Sequence, residues 1–136
     1  MMNKTIGRLT AGLKKNPSTS RASLDSIMST LGVQPPEDYI SFMLDSNGAE
    51  GFVGSSHYLI VHPVEQLLAC NEPYGLGSVG PGLVIFGSDG GGMAYAFNSK
   101  KTPAEIVKVD SISMDLGPVV RCGSSFTAFL EYLRDS

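Results

Sequence analysis

The chain has 136 residues, 42% hydrophobic and 17% charged, a length and balance that suit one soluble globular domain and exclude a disordered or membrane-spanning chain. Its formal net charge is −3, from 10 basic and 13 acidic side chains. Residues 1–21 hold five of the basic side chains and no acidic one, so the remainder sums to −8; that excludes the basic face a nucleic-acid binder needs and suits a basic protein partner.

Residues 1–21, with Lys4, Arg8, Lys14, Lys15 and Arg21, read as a basic N-terminal arm that ends in the polar stretch Asn16-Pro17-Ser18-Thr19-Ser20, ahead of a single domain at 22–136. Their apolar residues Ile6, Leu9 and Leu13 are scattered, without the continuous run of a cleaved secretory signal, so the expected location is cytoplasmic. Leu24, Ile27, Met28 and Leu31 then recur at helical spacing, with Ser20 or Ser23 as N-cap and Gly32 as the stop. Pro35-Pro36-Glu37-Asp38 opens a second helix with apolar Tyr39, Ile40, Phe42, Met43 and Leu44, stopped by Asn47-Gly48.

The period then changes to that of strands. Phe52-Val53 and His57–Val61 are short strands, Pro63 opens a short middle helix through Val64, Leu67 and Leu68, and residues 71–82 form a Gly- and Pro-rich loop. Leu83–Phe86 is continuously apolar, as in a strand covered on both faces. A tight turn at Gly87–Gly92 reverses the chain into Met93–Phe97, where large residues alternate with alanines and read as core. Ile106–Val109 is a further strand, and Val119-Val120-Arg121 reads as a candidate short one. Ser124 or Ser125 caps a last helix with Phe126, Phe129, Leu130 and Leu133 on its apolar face. The expected fold is α+β, a mostly antiparallel twisted sheet of about five short strands on which two N-terminal helices, the middle helix and the C-terminal helix pack.

No pattern of catalytic residues emerges. Gly75–Gly80 spells GxGxxG, but Pro73-Tyr74 precedes it and Pro81 with an apolar strand follows, where dinucleotide binding needs a strand before and a helix after. His57 and His62 fall on opposite faces of a strand end, so neither a metal site nor a cofactor site is expected. Cys70 and Cys122 read as reduced and buried, although Cys122 stands just before a helix start, where a thiol pKa falls. Glu37 and Asp38 are explained by the dipole of their own helix.

The segment Leu31-Gly32-Val33-Gln34-Pro35-Pro36-Glu37-Asp38-Tyr39-Ile40-Ser41-Phe42, running to Asn47-Gly48-Ala49-Glu50-Gly51, resembles the signature of the SUKH superfamily. That group includes the yeast cell-wall assembly regulator and many bacterial immunity proteins. Leu83–Asn98 and Ser125-Phe126 through Leu133 match its later blocks in order, while Met93 after the last glycine of the turn and the lack of tryptophan depart from its pattern. The resemblance implies a non-enzymatic, cofactor-free domain that binds and neutralises a cognate polymorphic toxin, such as a nuclease with a basic groove. The alternative it leaves open is an intracellular regulatory or scaffold module with no toxin partner. On the immunity reading the expected partner surface is acidic: Glu37, Asp38, Glu50, Glu65, Glu72 and Asp89, with Tyr74 as aromatic anchor.

Overall fold

A computed structural model of the chain describes residues 4–54, 57–71, 82–110 and 120–135. The segment read as a lead-in arm is folded. Lys4–Leu9 form helix α1 and Leu13–Lys15 form strand β1. Ile6, Leu9 and Leu13 are all buried in the main core, each contributing about 1.5–3 kcal/mol of hydrophobic stabilisation. The polar stretch that follows is pinned by Asn16 N–H to the Gly48 carbonyl and by Asn47 N–H to the Pro17 carbonyl. Apolar side chains that look scattered in sequence thus converge because they come from a short helix and a strand in succession.

The next two helices form as the periodicity predicts, α2 at Arg21–Leu31 and α3 at Glu37–Asp45. Ser20 Oγ accepts the Ser23 N–H, and Gly32 closes α2 in the left-handed region at φ 73°, a conformation in which a side chain would be strained. The remaining elements are β2 (Ala49–Val53), β3 (His57–Val61), a 3-10 turn (Val64–Gln66) leading into α4 (Leu67–Asn71), β4 (Leu83–Ser88), β5 (Met93–Asn98), β6 (Glu105–Asp110), β7 (Val120–Gly123) and α5 (Phe126–Asp135). Most of the loop expected at 71–82, including Gly75–Gly80, lies outside the described residues.

Among the described residues, the strands join one antiparallel sheet of seven, each next to its neighbours in sequence. The sheet exceeds the expected five strands because β1 comes from the N-terminal segment and β7 from the candidate short strand, starting at Val120 and running on through Cys122. The hairpin between β4 and β5 turns as its glycines imply: Asp89 Oδ1 accepts the Gly91 N–H at 2.8 Å, and Gly90 sits at φ 81°. Large residues of β5 do face the core, where Tyr95 meets Phe129 of α5 edge-on at 4.9 Å.

The helices cover one face of the sheet. Tyr39 of α3 stands at the centre of that layer, edge-on to Phe86, Phe97 and Phe126 at 5.6, 4.9 and 5.6 Å. Its hydroxyl is buried and has no hydrogen-bond partner among the described residues, and burial pushes its ionisation far above the usual phenol range. Tyr39→Phe is therefore expected to leave stability unchanged or raise it by up to about 1 kcal/mol, measured by chemical denaturation, because an unpaired buried polar atom costs more than a missing one. On the opposite face, Leu83, Ile85, Ala94, Ala96, Val107 and Val109 of β4–β6 form a second buried cluster. This is the two-sided burial that the continuous run at 83–86 predicts.

Two side chains complete hydrogen bonding that the elements alone leave open. Strand β3 pairs with β4 only at Ile60↔Ser88 and Val61↔Gly87, so the first half of β4 lacks a strand on that side. The buried Asn71 amide takes the vacant place, accepting the Ile85 N–H at 2.8 Å and donating to the Ile85 carbonyl at 3.0 Å and the Leu67 carbonyl at 2.8 Å. At α5, Ser125 Oγ accepts the Ala128 N–H as expected of the cap. The two preceding N–H groups, of Phe126 and Thr127, are taken by the Asp38 carboxylate at 2.9 and 2.8 Å.

Candidate protein-docking site

Strands β2 and β3 alternate between faces, as any pleated strand does. Ala49, Val53, Leu59 and Val61 turn into the core. Glu50, Phe52, Tyr58 and Ile60 therefore point outward. Register places Phe52 opposite Tyr58, Glu50 opposite Ile60, and Lys14 of β1 opposite Glu50. Whereas the outer face of β4–β6 is buried, this half of the sheet is open, and Phe52 is 53% exposed.

The outward residues hold one another in place. The Phe52 and Tyr58 rings meet edge-to-face at 5.1 Å and 82°, a favoured aromatic geometry. The Tyr58 hydroxyl donates to Glu50 Oε2 at 2.7 Å, and that bond, followed by desolvation and the carboxylate's charge, pushes the Tyr58 phenol up from its ordinary value. Beside the pair lies a cleft of about 400 Å³ whose lining includes Lys14, Asn16, Glu50, Ile60, His62 and Gln66. A second concavity of about 400 Å³ adjoins it through Asn16, Pro63 and Gln66 and reaches Asn47 and Glu65.

His62 is half-buried in the cleft wall. Burial lowers its pKa from the usual histidine value, and the negative charge of Glu50 partly opposes that shift. Because the folded state binds the proton less readily than the unfolded chain, His62 contributes stability that is present above about pH 6.5 and is lost as pH falls below it toward the folded pKa. Glu50→Gln is expected to lower the His62 pKa further, as followed by NMR titration of the imidazole; an upward shift would show that Glu50 does not act on it.

The acidic residues singled out in the sequence go to different places. Glu37 is exposed in the first turn of α3. Asp38 spends both carboxylate oxygens on α5, with the Thr127 hydroxyl adding a third bond at 2.8 Å. Glu65 is exposed and accepts from Asn47 Nδ2 at 2.6 Å, while Asn47 Oδ1 accepts the Val64 N–H, so it braces the corner where α3 ends. Asp89 is occupied in its own hairpin turn, which packs beside Tyr58: a Cβ on Gly90 would lie 3.4 Å from the Tyr58 ring. Glu72 and Tyr74 lie outside the described residues. Of the set, the structure brings Glu50 and the Asp89 turn to the borders of one aromatic patch. Sequence reasoning did not select Phe52, Tyr58 or His62 for this site; the available signal was an aromatic pair on the solvent side of two alternating strands.

Among the described residues, no cluster of three or more His, Cys, Asp or Glu side chains could hold a metal ion. Cys122 is a buried free thiol, and burial pushes its pKa up against the pull of Lys108 and a hydrogen bond with Tyr132. The direction is opposite to that expected from its place before a helix, because desolvation by burial outweighs those two opposing effects. No described helix is long and apolar enough to cross a membrane.

No curated protein matches the chain. The SMI1/KNR4 family (SUKH-1) matches it over residues 18–132, a span running from the cap of α2 into α5 and including the open β2–β3 face. With well over half of the chain covered, the protein belongs to the SMI1/KNR4 family (SUKH-1).

Proposed function

We propose that this protein is an immunity-type binding domain that captures a cognate polymorphic toxin in the bacterial cytoplasm and neutralises it without catalysis. The observation that carries the reading is membership of a family that includes toxin-immunity proteins. The charge balance supports it: outside residues 1–21 the chain sums to −8, which would steer it toward a toxin domain with a basic surface, such as that of a nuclease. Of the acids singled out in the sequence, Glu37, Glu50 and Glu65 are exposed and available to such a partner, whereas Asp38 and Asp89 bond within the fold.

The test is co-expression with the C-terminal domain of any large protein encoded beside it, scoring survival and co-purification at low and high salt. Rescue with a complex whose association slows at high salt is the expected result. Neither rescue nor complex would overturn the reading and favour a regulatory or scaffold module of the cell-wall-regulator type.

A further inference from the structure

Among the described residues, Phe52 is the most exposed of the large hydrophobic side chains, at 53% against 40% for Val120 and 38% for Leu68. What makes the exposure informative is that the ring belongs to an ordered aromatic patch rather than standing singly on the surface. The ring is held in a fixed geometry, because Tyr58 packs against it edge-to-face and is itself tied to Glu50. An ordered aromatic surface beside a polar cleft has the composition of an interface hot spot, where large rings supply contact area at little cost in conformational entropy.

Glu50 shows what chemistry the patch selects. One carboxylate oxygen accepts the Tyr58 hydroxyl; the other accepts no hydrogen bond among the described residues. Lys14 stands opposite in the register, yet none of the ion pairs formed among the described residues joins it to Glu50. The carboxylate is thus oriented and exposed, in no ion pair among the described residues, and next to an edge-to-face ring pair. A guanidinium fits both features, forking onto a carboxylate while its plane lies on an aromatic ring; an ammonium can satisfy only the charge. The acidic balance of the chain beyond residue 21 favours the same sign of partner.

We infer that the outer face of β2–β3 is the docking surface for a basic protein partner and that it receives an arginine side chain, its guanidinium lying on one ring of the Phe52–Tyr58 pair and paired to Glu50. The inference rests on the protein-binding reading given above and specifies its surface and the residue it recognises.

Two measurements on the full chain test it. In the first, N-acetyl-arginine amide and N-acetyl-lysine amide are titrated separately at millimolar concentration while the Phe52 and Tyr58 ring signals and the Glu50 side-chain signals are followed by NMR. Arginine is expected to shift them saturably and more than lysine, with the difference abolished in Glu50→Gln; equal effects, or no ring shifts, would overturn the inference. In the second, Phe52→Ser and Glu50→Gln, each first shown to keep the wild-type melting temperature, are compared in the co-expression assay. Each is expected to weaken the complex by about 30-fold or more. Variants that bind and rescue like the wild type would remove this face from the interface while leaving the immunity reading intact. If the wild type itself neither binds nor rescues, the immunity reading fails and the arginine titration alone decides the face.

Discussion

Replacing Asp38 with alanine is expected to destabilise the protein by about 2–3 kcal/mol, more than an ordinary surface substitution and at the upper end for a helix cap. The carboxylate makes three hydrogen bonds to the start of α5, from the Phe126 and Thr127 N–H groups and from the Thr127 hydroxyl. Its negative charge also sits at the positive end of the helix dipole. Removing it strands two backbone donors at a partly buried junction and loosens the link between α3 and α5, which meet through Phe42 and Phe126 at 5.1 Å. Asp38→Asn keeps one acceptor and should lose about half as much. Urea denaturation followed by circular dichroism measures both; a loss under about 0.5 kcal/mol for the alanine variant would mean that Ser125 alone suffices to cap α5.

The larger effect is expected at Asn71, where alanine should cost about 3–4 kcal/mol. This side chain stands in for a missing strand segment, and all three of its hydrogen bonds are buried. Its removal leaves both the N–H and the carbonyl of Ile85 unpaired inside the sheet, and the cost of such groups comes from desolvation that water cannot relieve. Asn71→Asp preserves the acceptor but loses both donors and sets a buried charge against two carbonyl oxygens, so it should be at least as damaging. Hydrogen exchange provides a local readout: the Ile85 amide should lose protection in the alanine variant. If that amide stays protected and stability falls by less than 1 kcal/mol, another group must already bond it.

These two residues also show what could and could not be read from the sequence. Ser20, Gly32, Ser125 and the Asp89-Gly90 turn act within four positions of themselves, so their chemistry is visible in a short window. Asp38 has the same chemistry, but its target lies 88 positions away; in sequence it reads as an acid serving its own helix. Asn71 looks like the edge of a loop because the gap it fills exists only once β3 and β4 have paired. The apolar residues of α1 and β1 look scattered in a short window because their partners come from distant elements. The docking face was partly legible. Glu50 stands out by its charge, but alternation alone cannot say which half of an outer sheet face stays open, and that decides whether Phe52 is core or contact. In β4–β6 outward positions are buried, and in β2–β3 they are not.

The place of β1 bears on how the protein can be trimmed. The family match begins at residue 18, beyond both α1 and β1, so a fragment cut to the match would look complete by homology. It would lose Ile6, Leu9 and Leu13 from the core and strip the strand that pairs along Leu13↔Gly51 and Lys15↔Ala49. The freed edge of β2 would then offer unpaired N–H and carbonyl groups to other molecules, the usual starting point for edge-to-edge aggregation. The Lys14-Lys15 pair now stands on the outermost strand, and lysine at a sheet edge is the residue that discourages such pairing. In this chain the segment that appears dispensable is what keeps the sheet from growing.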